Sequence, residues 1–136
     1  MSPESDSLEA LPVPFTMSIR LLIVDDSRMS RLILQGLALQ AHPQWTILHA
    51  SSGEEALQMV RESPVDLVSM DFNMHGINGL EAALELRKIL PDVPIAILTA
   101  NVQSVLQERI EEAGMVFIPK PITASATAQL AALVGA

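Results

Sequence analysis

No cysteine occurs among the 136 residues, which excludes a disulfide framework and any thiolate metal site. Basic residues are scarce: eight Lys and Arg face sixteen Asp and Glu, for a net charge of −8. The eight are scattered from Arg20 to Lys120, whereas a nucleic-acid footprint needs them clustered on one face. Direct DNA or RNA binding is therefore not expected. The chain is 49% hydrophobic, yet no apolar run reaches the ~18 to 20 residues of a membrane helix. The first ten residues lack the basic and apolar regions of a signal peptide, so a cytoplasmic location is expected. The acidity suits a cation ligand or a partner with a basic patch.

What the chain does contain is alternation. Its length fits one domain with a substantial core. Residues 1–18, rich in Ser, Pro and acids, are expected to form a flexible arm before a domain over 19–134. Apolar runs at Ile19–Val24, Trp45–Ala50, Val65–Met70, Ile95–Leu98 and Met115–Ile118 read as strands. Between and after them the period is helical. Met29, Leu32, Ile33 and Leu37 are expected to share the buried face of a helix from Arg28 to Gln40, capped by Ser27 or Asp26. Ser52 and Glu55 fit a capping box for the next helix, and Leu80, Ala83, Leu84 and Leu86 recur along the third. Val102, Val105, Leu106 and Ile110 line one side of a fourth helix, with Gly114 as its stop. In the last, over Thr123–Val134, Ile122, Ala126, Leu130 and Leu133 are expected to face inward. Five such pairs predict an α/β fold: a doubly wound, five-stranded parallel sheet with helices on both faces.

In that architecture every strand's carboxyl end points to one rim, where ligands bind. The exits carry Asp25 and Asp26 after the first strand, Asp71 after the third, Thr99 after the fourth and Lys120 after the fifth. Asp71 alone could be a loop cap, and Asp25-Asp26 alone a helix cap. Together, three carboxylates on one crevice repel, and Lys120 supplies only one positive charge. A hard divalent cation with oxygen ligands and open water positions, Mg²⁺, fits that excess. A carboxylate beside a metal can act as a nucleophile toward phosphorus, with Lys120 and Thr99 meeting the charge on the transferring oxygens. The histidines, His42, His49 and His75, share no spacing and read as structural or solvated.

These residues and their order resemble the response-regulator receiver domain of bacterial two-component signalling, over about residues 19–134. The resemblance rests on Leu21-Leu22-Ile23-Val24-Asp25-Asp26-Ser27, on the strand ending in Asp71, on Leu98-Thr99-Ala100 and on Pro119-Lys120-Pro121. The loop from Asp71 to Glu81 resembles the family's Asp-x-x-Met-Pro-x-Met-Asp-Gly-Leu-Glu. The resemblance implies a flavodoxin-like strand order 2-1-3-4-5. It implies that Asp71 accepts a phosphoryl group from a histidine kinase or a histidine phosphotransfer protein. Asp25, Asp26, Asp71 and the backbone carbonyl of Asn73 would hold Mg²⁺, and Lys120 would contact Asp71. Thr99 and Phe117 would form the switch that alters the surface of the fourth helix, fifth strand and fifth helix.

Three positions depart from the family pattern. Phe117 stands where Tyr is frequent and brings no hydroxyl. His75 replaces a Pro and Asn78 an Asp, which is expected to loosen the loop after Asp71. No charged residue follows Lys120, so the outer side of the last helix, expected to carry Thr123, Ala124, Thr127, Ala128 and Ala131, is a candidate contact for a downstream partner or a homodimer. The function expected is a single-domain regulator rather than an enzyme, acting by protein contact, with a phosphorelay intermediate or phosphate sink as alternative. A haloacid-dehalogenase-like phosphohydrolase would need a second acid where Asn73 stands. A flavodoxin-like FMN carrier would need a phosphate-binding loop where Asp25-Asp26 would repel it.

Overall fold

The computed structural model of the chain describes residues 18–136; of the arm expected over 1–18, only Ser18 falls among the described residues. The elements alternate as β1 (Arg20–Val24), α1 (Arg28–Ala41), β2 (Thr46–Ala50), α2 (Gly53–Glu62), β3 (Leu67–Asp71), α3 (Gly79–Ile89), β4 (Ile95–Thr99), α4 (Ser104–Glu112), β5 (Val116–Pro119) and α5 (Ala124–Ala132). All strand pairs are parallel, in the order β2-β1-β3-β4-β5. The five-stranded, doubly wound α/β expectation is met.

The chain leaves β1 in one direction to reach β2, then returns past β1 to β3, β4 and β5. With right-handed crossovers that reversal puts α1 on the opposite face from α2, α3 and α4. The core records it as a period of two. Leu22, Val24, Val68, Met70, Ile95 and Ile97 pack with Ala56, Leu86 and Ile110 from α2, α3 and α4. Leu21, Ile23, Leu67, Leu98 and Ile118 pack with Leu34 and Ala38 of α1 and with Ala126 and Leu130 of α5. β3 and β4 are buried along their whole length, hence their uninterrupted apolar runs.

The helix ends are chemically defined. Ser27 caps α1, accepting from the Ser30 amide at 3.2 Å. Ser52 caps α2 through the Glu55 amide at 3.0 Å. The expected capping box closes differently, since the Glu55 carboxylate takes the Ser51 amide at 2.6 Å and the Ser51 hydroxyl at 2.9 Å. Those bonds, the amide's first, hold the Glu55 carboxyl below its ordinary pKa. A complete capping box occurs at α3, between Asn78 and Glu81. Asn78, standing where the family pattern has Asp, thus caps α3 and anchors the end of the loop after Asp71.

One helix turns a different face inward from the one its bulky residues suggest, and two bury the expected residues only in part: Leu106 and Ile110 of α4 and Ala126 and Leu130 of α5 face the core as expected. In α1 the buried residues are Leu34 and Ala38, while Met29, Leu32 and Ile33 are exposed. α4 begins at Ser104 and buries Leu106 and Ile110, leaving Val102 and Val105 in solvent. In α5, Thr127 and Ala131 are buried, not outward. Ala38 in α1 and Ala131 in α5 take buried positions because small side chains let helix backbones approach their neighbours closely.

Candidate functional site

β1 and β3 are adjacent and in register from Leu21 opposite Leu67 to Val24 opposite Met70, so their exits carry Asp25 and Asp71 to neighbouring positions on the rim. Asp25, Asp26 and Asp71 each offer a carboxylate oxygen, all within 4.8 Å of one another. Asp25 and Asp71 are buried, and Asp26 is the solvent-facing member. Lys120, at the exit of β5, reaches across with Nζ 2.8 Å from Asp71 Oδ1 and 3.8 Å from Asp25 Oδ2.

The short Lys120–Asp71 contact is an ion pair without hydrogen-bond alignment, because buried Asp71 Oδ1 has no directed donor. Burial raises the Asp71 carboxyl above its ordinary pKa. Lys120 pulls it back, while Asp25 and Asp26 push it up again. The charges therefore do not close: three acids share one ammonium. A buried carboxylate oxygen met by the Lys120 ammonium alone and an excess of carboxylates are the features that a hard cation would satisfy, and the donor set is all oxygen.

The other expected residues are placed less uniformly. Thr99, fully buried at the exit of β4, accepts the Asn101 amide on its hydroxyl oxygen at 3.0 Å. Its carbonyl accepts the Lys120 amide at 2.9 Å, which ties the fourth and fifth exits together. The Lys120-Pro121 peptide is cis. Asn73 is exposed in the loop after Asp71, and no hydrogen bond among the described residues occupies its carbonyl. Phe117, opposite Ile97 on β4, is half-buried at the edge of the core that contains Leu106 and Ile110.

Two contacts at the rim had no signal in the sequence. His75 is fully solvent-exposed, yet its Nδ1 lies 3.0 Å from Asp26 Oδ2 and its amide 3.3 Å from the same oxygen. Arg31 donates from Nη1 to the Asp25 carbonyl at 2.6 Å and from Nε to His49 Nδ1 at 3.1 Å. His49 is thus structural, as expected, but part of the site's support.

The model of the response regulator receiver domain matches residues 21–132. The chain belongs to the response-regulator receiver family. It is therefore a signalling domain of two-component systems. The chemotaxis protein CheY of Thermotoga maritima is 34% identical over 110 residues, 80% of this chain and 91% of that protein. Response regulator UvrY of Escherichia coli is 33% identical over 96 residues, but the chain covers only 44% of its length. A solved response regulator from Chloroflexus aurantiacus superposes with a TM-score of 0.78 at 27% identity, covering 88% of this receiver and all of that chain. Among the described residues no helix is long and apolar enough to cross a membrane.

Proposed function

We propose that Asp71 is the phospho-acceptor of a single-domain, cytoplasmic response regulator that receives its phosphoryl group from a histidine kinase or histidine phosphotransfer protein. A carboxylate oxygen of Asp71 attacks phosphorus, the P–N bond to the donor imidazole breaks, and the imidazole keeps the electron pair and takes a proton. The observation that carries the reading is the convergence of Asp25, Asp26, Asp71 and Lys120 at three strand exits, with a buried Asp71 oxygen lacking a directed donor.

Lys120 neutralises charge on Asp71 before transfer and on the phosphoryl oxygens after it. Asp25, Asp26 and Asp71, with the Asn73 carbonyl, fit Mg²⁺, which when bound would supply the remaining positive charge. The Thr99 hydroxyl accepts the Asn101 amide and keeps its own hydrogen, which would donate to a phosphoryl oxygen; turning the side chain toward the phosphate would pull on the Asn101 bond and on the loop before α4. Phe117, half-buried beside α4 at the edge of the core, is the side chain that would move inward with Thr99. The output would be a population shift in the α4, β5 and α5 surface, read by a downstream protein or a second copy. Likeness to CheY over nearly its whole length supports the single-domain role.

The test is to incubate wild type and Asp71→Ala with acetyl phosphate and Mg²⁺ and weigh the intact proteins. One phosphoryl mass on wild type and none on the variant is expected. No mass on wild type, or the same mass on both, defeats the reading.

A further inference from the structure

We propose that Arg31, aimed by His49 and Gln35, is a positioning residue for the acid pair at the end of β1. Three of the hydrogen-bonding groups of Asp25 are committed. Its amide donates to the Ala50 carbonyl at 3.1 Å, its Oδ1 accepts the Ser27 amide at 2.9 Å and its carbonyl accepts Arg31 Nη1 at 2.6 Å. Only Oδ2 is left, and it faces Lys120. The Arg31 bond fixes the peptide plane between Asp25 and Asp26, and with it the direction in which Asp26 leaves the strand.

Arg31 is itself held. A guanidinium has no acceptor, so Arg31 Nε must donate to His49 Nδ1, at 3.1 Å. That leaves the hydrogen of the neutral imidazole on Nε2, which donates to Gln35 Oε1 at 2.6 Å. Gln35 lies four residues beyond Arg31 on the same face of α1, and His49 lies on β2, opposite Ile23 in the β1 register. Because the guanidinium is a rigid fork, fixing Nε fixes Nη1. The three side chains brace α1 and β2 around the loop that presents the acids. This rests on the reading of that pair as a cation site.

The sign of one effect separates positioning from charge. Removing a cation near a metal site should tighten Mg²⁺ binding by electrostatics alone, whereas losing the brace should weaken it. Mg²⁺ affinity is measured by calorimetry at constant ionic strength, with thermal unfolding in Mg²⁺-free buffer recorded alongside. Arg31→Met and His49→Leu are each expected to lose on the order of 10-fold in affinity, as outer-shell changes do. His49→Asn, which keeps an acceptor for Nε, is expected to stay within about 3-fold, well short of such outer-shell losses. If Arg31→Met does not fold, His49→Leu, which keeps every charge, decides alone. Wild type that fails to bind Mg²⁺ overturns the functional reading. Wild type that binds, with folded Arg31→Met or His49→Leu binding as tightly, overturns the brace.

Discussion

Gly79 is pressed against the exit of the strand that carries Asp71. Its amide donates to the Phe72 carbonyl at 2.9 Å. A β-carbon at 79 would stand 2.7 Å from Phe72 Cα and closer still to the Asp71 carbonyl oxygen. Those neighbours are backbone, so they cannot rotate away. The start of α3 and the proposed acceptor thus share one rigid contact.

Gly79→Ala is therefore expected to destabilise by roughly 1–3 kcal/mol, the usual cost of overpacking, and to slow phosphorylation by moving Asp71. Gly53 gives the comparison. A β-carbon there would meet the Ala82 methyl at 2.8 Å, which moves only with its helix, and the Ile77 side chain at 2.9 Å, which can rotate, so Gly53→Ala should also destabilise but, with no contact to the strand exits, leave phosphorylation rates alone. Gly36, on the exposed side of α1 with nothing within 4 Å, should gain about 0.5–1 kcal/mol on change to Ala. Denaturant melts of the three variants check the order. Gly79→Ala as stable as Gly36→Ala would remove the contact argument.

The strands and the rim were legible because both follow from local pattern. Short apolar runs bounded by turn formers and alternating with helical periods fit strands of a parallel sheet, and parallel strands send their last residues to one edge. Asp25, Asp26, Asp71, Thr99 and Lys120 could thus be gathered without knowing any distance. The inward face of α1 was not legible, and those of α4 and α5 were legible in part: Leu106, Ile110, Ala126 and Leu130 are buried as expected, whereas Val105 is exposed and Thr127 and Ala131 are buried. Met29, Leu32 and Ile33 form as good a stripe as Leu34 and Ala38, and only the proximity of the sheet selects the smaller pair. Nor could spacing reveal the brace, since Arg31 and His49 are on different elements and neither breaks a periodic pattern.

Asp71 gives the pH dependence its sign. Burial raises its pKa in the folded protein, so between the unfolded and folded values the native state binds the proton and the unfolded chain does not. This contribution to stability is full below the unfolded pKa and is lost as pH rises through the folded one. Ionised Asp71 is then a net cost at neutral pH, only partly offset by Lys120. In Mg²⁺-free buffer Asp71→Asn is expected to melt a few degrees higher than wild type near pH 7, with the gap closing toward pH 4. A gap that does not change with pH would show that the carboxyl is not perturbed.

Lys120 is the one cation within 4 Å of the carboxylate oxygens of the buried acids among the described residues. Lys120→Met removes the group that lowers the Asp71 pKa, so that pKa should climb further. Acetyl phosphate labelling at saturating Mg²⁺ is expected to slow by on the order of 10²-fold, the scale of losing one charged donor at a reacting centre. Lys120→Arg should recover part of the rate, since it keeps the charge but not the point geometry. Equal rates for Lys120→Met and wild type would take Lys120 out of the chemistry.

Mg²⁺ should stabilise the folded chain through the three carboxylates, by about 2.7 kcal/mol when free metal is 100 times its dissociation constant. Asp26→Asn should lose most of that gain, while its melting temperature without metal should change little because Asp26 is solvent-facing. His75 sharpens the test. Its imidazole holds Asp26 Oδ2 at 3.0 Å but buries nothing, so His75→Ala should leave metal-free stability within about 0.5 kcal/mol. If the imidazole competes for that oxygen, removing it leaves Mg²⁺ binding equal or tighter. Weaker Mg²⁺ binding by His75→Ala would instead make the imidazole part of the cation's shell, and the site would no longer be one of oxygen alone.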